Sequence, residues 1–278
     1  MTEKNLSIAY STCPNDTFIF HALMHGLVET GNLTFTSHLH DVEALNHFAM
    51  DETFQITKLS FAALGALQDK YTLLRSGAAL GRGCGPLIVA KPGFDVSRLK
   101  EIPIAVPGLM TTAHMLLGLY LQQPPNSVPM LFDAIMPKIK SGEFEAGLII
   151  HESRFTYEEY GLECVADLGA FWENETGLPI PLGCIAAHRS LPQDEIKRIE
   201  KAISQSVQYA FDNPEASKEY IHSHAVELSD DVTQNHIELY VNDFSVDLRD
   251  EGIKAMETLL STGRKHGLIP DSSHPLFQ

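Results

Sequence analysis

Short apolar runs, each followed by a polar turn and then by apolar residues spaced three or four apart, open the chain. Residues 6–10 read as a strand and residues 11–16 as a polar loop. A helix then runs to about His25; Asn15 or Asp16 can cap it and Gly26 can end it. Residues 33–39 alternate as a half-buried strand does, and Asp41 opens a helix on which Val42, Leu45, Phe48 and Ala49 share a face. Residues 54–58 form a third strand. Lys58, Leu59 and Ser60 then make a strand-to-helix junction carrying a cation and a hydroxyl, ahead of a helix over 61–67. With a fourth strand over 71–76, the order β-α-β-α-β predicts a mainly parallel sheet with helices on both faces.

Residues 77–86 read G-A-A-L-G-R-G-C-G-P. Pro86 and an extended run over 87–90 follow where a phosphate-cradling loop needs a helix, so the segment reads as a hinge, with Arg82 available to reach an anion. A second β-α series begins at 104–106. Thr111 and Thr112 stand at the head of its apolar helix over 113–121, where either can cap the helix or offer a hydroxyl and an N–H group to a ligand. Residues 128–132 make a strand, and 137–140 belong to a helix ended by Gly142. In the stretch 145–157, E-A-G-L-I-I-H-E-S-R-F-T-Y, an apolar run suited to a strand covered on both faces stops on His151. Ligands of open α/β sheets lie outside the carboxyl ends of strands. His151 therefore reads equally as a base presented to a ligand and as a residue that ends a strand by bonding Glu152 or a carbonyl. A helix through Arg154, Tyr157 and Glu159 and a strand over 164–168 follow.

Residues 177–187 form a second long apolar extended stretch, expected to be a return crossing that pairs with 87–90. Beyond Leu191 nothing alternates. Ile196, Ile199, Ile203, Val207 and Ala210 recur at helical spacing, Pro214 and Ser229 mark further helix starts, and a last helix reaches His266. This tail is expected as a helical layer on the first sheet. The outcome is two lobes, 1–88 with 189–278 and 89–188, joined by two crossings and facing each other across a cleft.

Composition narrows the partners. The formal charge of −16, from 20 Lys and Arg against 36 Asp and Glu, argues against a nucleic-acid partner. It does not exclude a small anion, because a pocket answers to its nearest groups when surface charge is screened within about 8 Å. The four cysteines, Cys13, Cys84, Cys164 and Cys184, form no C-x-x-C pair, and no metal site is signalled. The first residues lack a basic segment followed by a sustained apolar run, and no stretch nears the ~20 apolar residues of a membrane helix, so a cytoplasmic protein is expected. His21 and His25 lie four apart without the glutamate of the zinc-protease motif; His222, His224 and Glu227 read as solvated. These features alone describe a two-lobed α/β protein closing on a small anion.

Five motifs add to this: S-T-C-P-N-D-T-F-I-F from Ser11, T-K-L-S from Thr57, R-S-G-A-A-L-G-R-G-C-G-P from Arg75, V-P-G-L-M-T-T-A from Val106, and G-L-I-I-H-E-S-R-F-T-Y from Gly147. Together they closely resemble the 1,4-dihydroxy-6-naphthoate synthase family of the futalosine route to menaquinone. The resemblance implies a type II periplasmic-binding-protein-like fold. It implies cleavage of cyclic dehypoxanthine futalosine to 1,4-dihydroxy-6-naphthoate and dihydroxyacetone without a cofactor. It also implies His151 as base, with Lys58, Leu59, Ser60, Thr111 and Thr112 contacting substrate; Arg82 and Arg154 receive no role. Removing a proton suits a histidine whose ordinary pKa is about 6.5, and holding the resulting charge suits hydroxyls and helix-terminal N–H groups. The alternatives are chorismate dehydratase of the same pathway and a non-catalytic small-anion binding protein.

Overall fold

The computed structural model describes residues 3–225 and 229–278, so Glu227 lies outside the described residues. In chain order, β1 (Lys4–Tyr10), α1 (Pro14–Met24), β2 (Leu33–Leu39), α2 (Val42–Met50), β3 (Ile56–Ser60), α3 (Phe61–Ala66), β4 (Tyr71–Leu73) and β5 (Ala79–Gly81) build most of a first sheet and its cover. The second sheet takes β6 (Leu87–Ala90), β7 (Ile104–Val106), β8 (Ser127–Pro129), β9 (Ala146–Ile149) and β10 (Glu163–Asp167). Around it lie α4 (Thr112–Leu121), α5 (Phe132–Ser141) and α6 (Ser153–Thr156). The chain returns through α7 (Leu168–Thr176) to β11 (Ile180–His188) and ends in α8 (Gln193–Asp212), α9 (Lys218–His224), α10 (Asp230–Tyr240), α11 (Asp243–Val246) and α12 (Arg249–Lys265).

Both sheets are mixed. The first has the order β2-β1-β3-β11-β4, with β5 also on β11; the second runs β10-β6-β9-β7-β8. β1 is parallel to β2 and β3, and β7 to β8 and β9, as β-α-β connections require. β11 is antiparallel to β3, β4 and β5, and β6 is antiparallel to β9 and β10. The fourth strand therefore does not extend the parallel series as expected, because β11 is inserted between β3 and β4. The pairing expected between 177–187 and 87–90 is also not formed. These segments belong to different sheets; the two crossings that lead to them touch at Gly85 and Gly169. A Cβ on Gly85 would stand 2.2 Å from the Cα of Gly169, so bare backbone packs on bare backbone there.

Local chemistry explains the helix starts near the gap. Asp41 caps α2 by accepting from the N–H groups of Glu43 and Ala44, and Thr111 caps α4 by accepting from His114. Helix α1 departs from expectation. Pro14 occupies its first turn, Cys13 precedes it without a side-chain cap, and Asn15 and Asp16 turn inward instead. The tail is not one layer. The apolar stripe of α8 packs with α1 on the first sheet, whereas α12 lies against α3, β11 and α4. A Cβ on Gly263 would meet the Met115 sulfur at 2.7 Å. The largest apolar cluster accordingly runs across both sheets, taking Leu59 and Leu73 from one and Ile88 and Leu148 from the other. Among the described residues, no helix is long and apolar enough to cross a membrane.

Candidate active site

A cavity of about 70 Å³ opens where β3, the head of α4, the turn after β9 and the crossing segments converge. Lys58, Ser60, Thr111, Thr112 and His151 all line it, with Asn15, Cys84 and Tyr240; Val42, Ala79, Pro86, Ile150 and Leu182 supply apolar wall. Strand alternation explains one absence. Lys58 and Ser60 face the cavity from β3, so Leu59 between them faces away and packs, fully buried, in the main core. Arg82 is also absent. It is turned outward, donating to the Gly177 carbonyl and Glu251 at 3.0 Å each. Arg154 ties the turn after His151 to the crossing, donating to the Gly85 carbonyl at 2.6 Å and to Asp167 at 2.7 Å.

The charge of Lys58 is answered from α1. Its ammonium pairs with Asp16, which is wholly buried. Asp16 also accepts from the Ser11 N–H at 3.0 Å, the Ser11 hydroxyl at 2.7 Å and the Asn15 amide at 2.8 Å. A buried ion pair with its remaining lone pairs occupied is the arrangement a low-dielectric interior tolerates. The sequence offered Asn15 and Asp16 only as caps; the fold makes them the support of Lys58.

The hydroxyls are less free than the sequence indicates. Thr111 donates to the Gly108 carbonyl at 2.9 Å while accepting from His114. Thr112 donates to the Leu182 carbonyl at 2.7 Å and accepts from Ala62 N–H at 3.3 Å, which joins α4 to β11 and α3. Ser60 accepts from the Asn46 amide at 3.2 Å, leaving its own O–H to donate. Asn46, on α2, is a supporting residue with no signal in the sequence. As the first two residues inside a helix, Thr112 and Ala113 have N–H groups with no intrahelical partner, and both residues border the cavity.

His151 stands two residues past β9 with φ +57, a left-handed conformation uncommon outside glycine. Its Nδ1 lies 3.6 Å from the Cys13 sulfur, and its ring sits 5.4 Å from Phe132 and 6.2 Å from His236. Burial lowers its pKa and Lys58 adds to that, against opposing pulls from Glu152, Asp16 and Asp41, so the neutral imidazole is favoured. Burial raises the Cys13 thiol and pushes that of Cys84 up to about 12. Cys13, His151 and Glu152 place one donor atom each within 4.8 Å of one another, but a protonated thiol is a poor metal ligand, and we assign no metal there. The His21 and His25 rings lie tilted with centroids 4.4 Å apart beside Tyr220, and neither lines this cavity.

Comparison with known proteins bears on what the cavity serves. The family described as "Menaquinone biosynthesis" matches residues 6–265. The chain is 48% identical to the 1,4-dihydroxy-6-naphtoate synthase of Thermus thermophilus over 274 residues, covering 98% of each protein. It is 42% identical to the enzyme of the same name from Streptomyces coelicolor, covering 97% of this chain and 96% of that one. Among solved structures, a protein from Archaeoglobus fulgidus superposes with a TM-score of 0.89 at 34% identity, over 95% of this chain and 98% of that one. The alkanesulfonate-binding protein SsuA from Xanthomonas axonopodis superposes at 0.73 with 13% identity, over 98% of this chain and 96% of that one; this likeness shows the fold alone, that of a periplasmic binding protein. The chain belongs to the menaquinone-biosynthesis family, among the 1,4-dihydroxy-6-naphthoate synthases.

Proposed function

We propose that the cavity converts cyclic dehypoxanthine futalosine to 1,4-dihydroxy-6-naphthoate and dihydroxyacetone, with His151 as general base. The observation that carries this reading is the gathering of an imidazole, the Lys58 ammonium, the Ser60 hydroxyl and the amino end of α4 around one enclosure with apolar walls. Cleaving a carbon-carbon bond toward an aromatic product calls for a proton acceptor and for donors aimed at the charge left behind. With Nδ1 turned to Cys13, the lone pair available to substrate is that of Nε2, in the tautomer whose Nδ1–H points at the sulfur. Thr111 and Thr112 act through the helix terminus they shape, since their hydroxyls are engaged, and Leu59 acts only by fixing the alternation that turns Lys58 and Ser60 inward. Aromatisation of the substrate supplies the driving force, so the proposed chemistry calls for no cofactor.

The polar lining is almost sealed: Lys58 is 6% exposed, Ser60 3%, and Thr111 and Thr112 2% each. Substrate entry then requires the lobes to part at the crossings, near 81–87 and 167–180, and to close again over it. These limits revise the proposed lobes slightly, since Leu87 already belongs to the second sheet and residues 180–188 to the first. We place the reaction in the cytoplasm.

The test is His151→Ala assayed for naphthoate release. Turnover is expected to fall at least about 100-fold with fold and product binding retained; a variant turning over at the parent rate would remove His151 from the mechanism.

A further inference from the structure

The Glu152 carboxylate oxygen Oε2 and the His236 ring nitrogen Nδ1 are buried, have no hydrogen-bond partner among the described residues, and stand 3.9 Å apart. A chain of contacts shows which atoms carry hydrogen. Asp16 accepts from Lys58 and Ser11, so the Asn15 group facing it must be the amide NH2, donating at 2.8 Å. The Asn15 oxygen is then the atom that meets His236 Nε2 at 3.0 Å. Flipping Asn15 would set its oxygen against the carboxylate. His236 Nε2 must therefore donate, and a neutral His236 presents only a bare lone pair on Nδ1. That lone pair faces a carboxylate oxygen. Two acceptors directed at each other inside a protein are costly, and a gap of 3.9 Å is too narrow for a bridging water.

We propose that Glu152 and His236 share one proton, forming a polar clasp between α10 and the turn after β9 that fixes the position of His151. A movement of about 1 Å brings the pair to hydrogen-bond distance. The clasp adjoins the left-handed His151 residue, a conformation that persists only where its surroundings hold it. The groups facing His236 are His151 and Glu152 from the turn, Lys58 from β3, Asn15 from α1 and the Tyr240 ring at 4.6 Å on its own helix. Burial, His151 and Lys58 all lower the proton affinity of His236, so the clasp holds its proton only through the facing Glu152 carboxylate, and rising pH removes it. Both residues act through His151 and are positioning residues; this role rests on the reading of His151 as base, whereas the shared proton does not.

Protein labelled with ¹⁵N at histidine tests the two separately. The chain has 13 histidines, and the His236 signal is the one missing from His236→Gln or, should that variant not fold, the one displaced in Glu152→Gln. In the parent, Nδ1 of His236 is expected to show a hydrogen-bonded or protonated shift that is lost as pH rises, in step with a fall in kcat. Glutamine at 152 can donate an N–H to neutral Nδ1, so Glu152→Gln should keep kcat near the parent value and abolish that alkaline fall. Glu152→Ala should lower kcat about 10- to 100-fold with little change in KM. A bare lone-pair shift at Nδ1 throughout the pH range overturns the shared proton, whatever His151→Ala does. An alkaline limb unchanged in Glu152→Gln overturns the positioning role.

Discussion

His151 is the residue whose surroundings do most to set its chemistry. A histidine whose pKa is lowered on folding takes up protons more readily when unfolded, so acid favours the unfolded chain. The stability associated with such a group is complete above the unfolded value of about 6.5 and declines as pH drops below it. His21 and His114 are shifted the same way, chiefly by burial, so their effects reinforce that of His151. Urea unfolding should accordingly show stability decreasing from pH 7.5 to 5.5, and the acid limb of kcat/KM should lie below the ordinary histidine range. An acid limb above that range would mean that His151 is stabilised as a cation, against its burial. At this scale the sequence conveyed identity but not availability. Thr111, Thr112 and Ser60 are all hydroxyl residues at helix starts, yet only Ser60 keeps its proton free for a ligand, because the threonines bond to carbonyls at Gly108 and Leu182. Leu182 is distant in sequence from Thr112, and no local pattern could have announced that contact.

Among elements, the two crossings matter most for the site, because they carry Cys84 and Pro86 into the cavity wall and bring β11 beside β3. The glycine-rich segment 77–86 read as a hinge; in the fold its β5 residues pair with β11 and its Gly85 meets Gly169 at the start of α7, whereas the pairing expected between 87–90 and 177–187 is not formed. Two antiparallel apolar strands satisfy a periodicity argument equally well in either sheet, so the pattern could not decide which β11 would join. Gly85→Ala tests the importance of the true contact. A Cβ 2.2 Å from the Gly169 backbone must push the crossings apart, and a loss of about 1–3 kcal/mol in urea unfolding is expected, as for overpacked cores. A neutral result would show that the crossings slide freely. Helix α1 illustrates the same limit. Asn15 and Asp16 had the right composition and position for capping, but Pro14 already opens the first turn and Lys58 of β3 claims Asp16.

For the whole molecule, the fold combines two sheets with a shared apolar cluster, and the tail helix α12 reaches from α3 across to α4. The closure proposed above would bend the crossings against this shared cluster. Small-angle scattering should show a more compact particle with product than without; identical curves would count against lobe motion. The sequence by itself determined the alternation of strands and helices, the two-lobed α/β class and the presentation of His151 at a strand's end, because periodicity, caps and turn residues act over a few neighbouring positions. Only the tertiary structure decided that β11 splits β3 from β4, that Asp16 neutralises Lys58, that threonine hydroxyls are consumed, and that His236 of the tail comes to face Glu152. Each of those outcomes depends on which distant surfaces meet, and a hydrogen bond between residues scores of positions apart leaves no periodic trace along the chain.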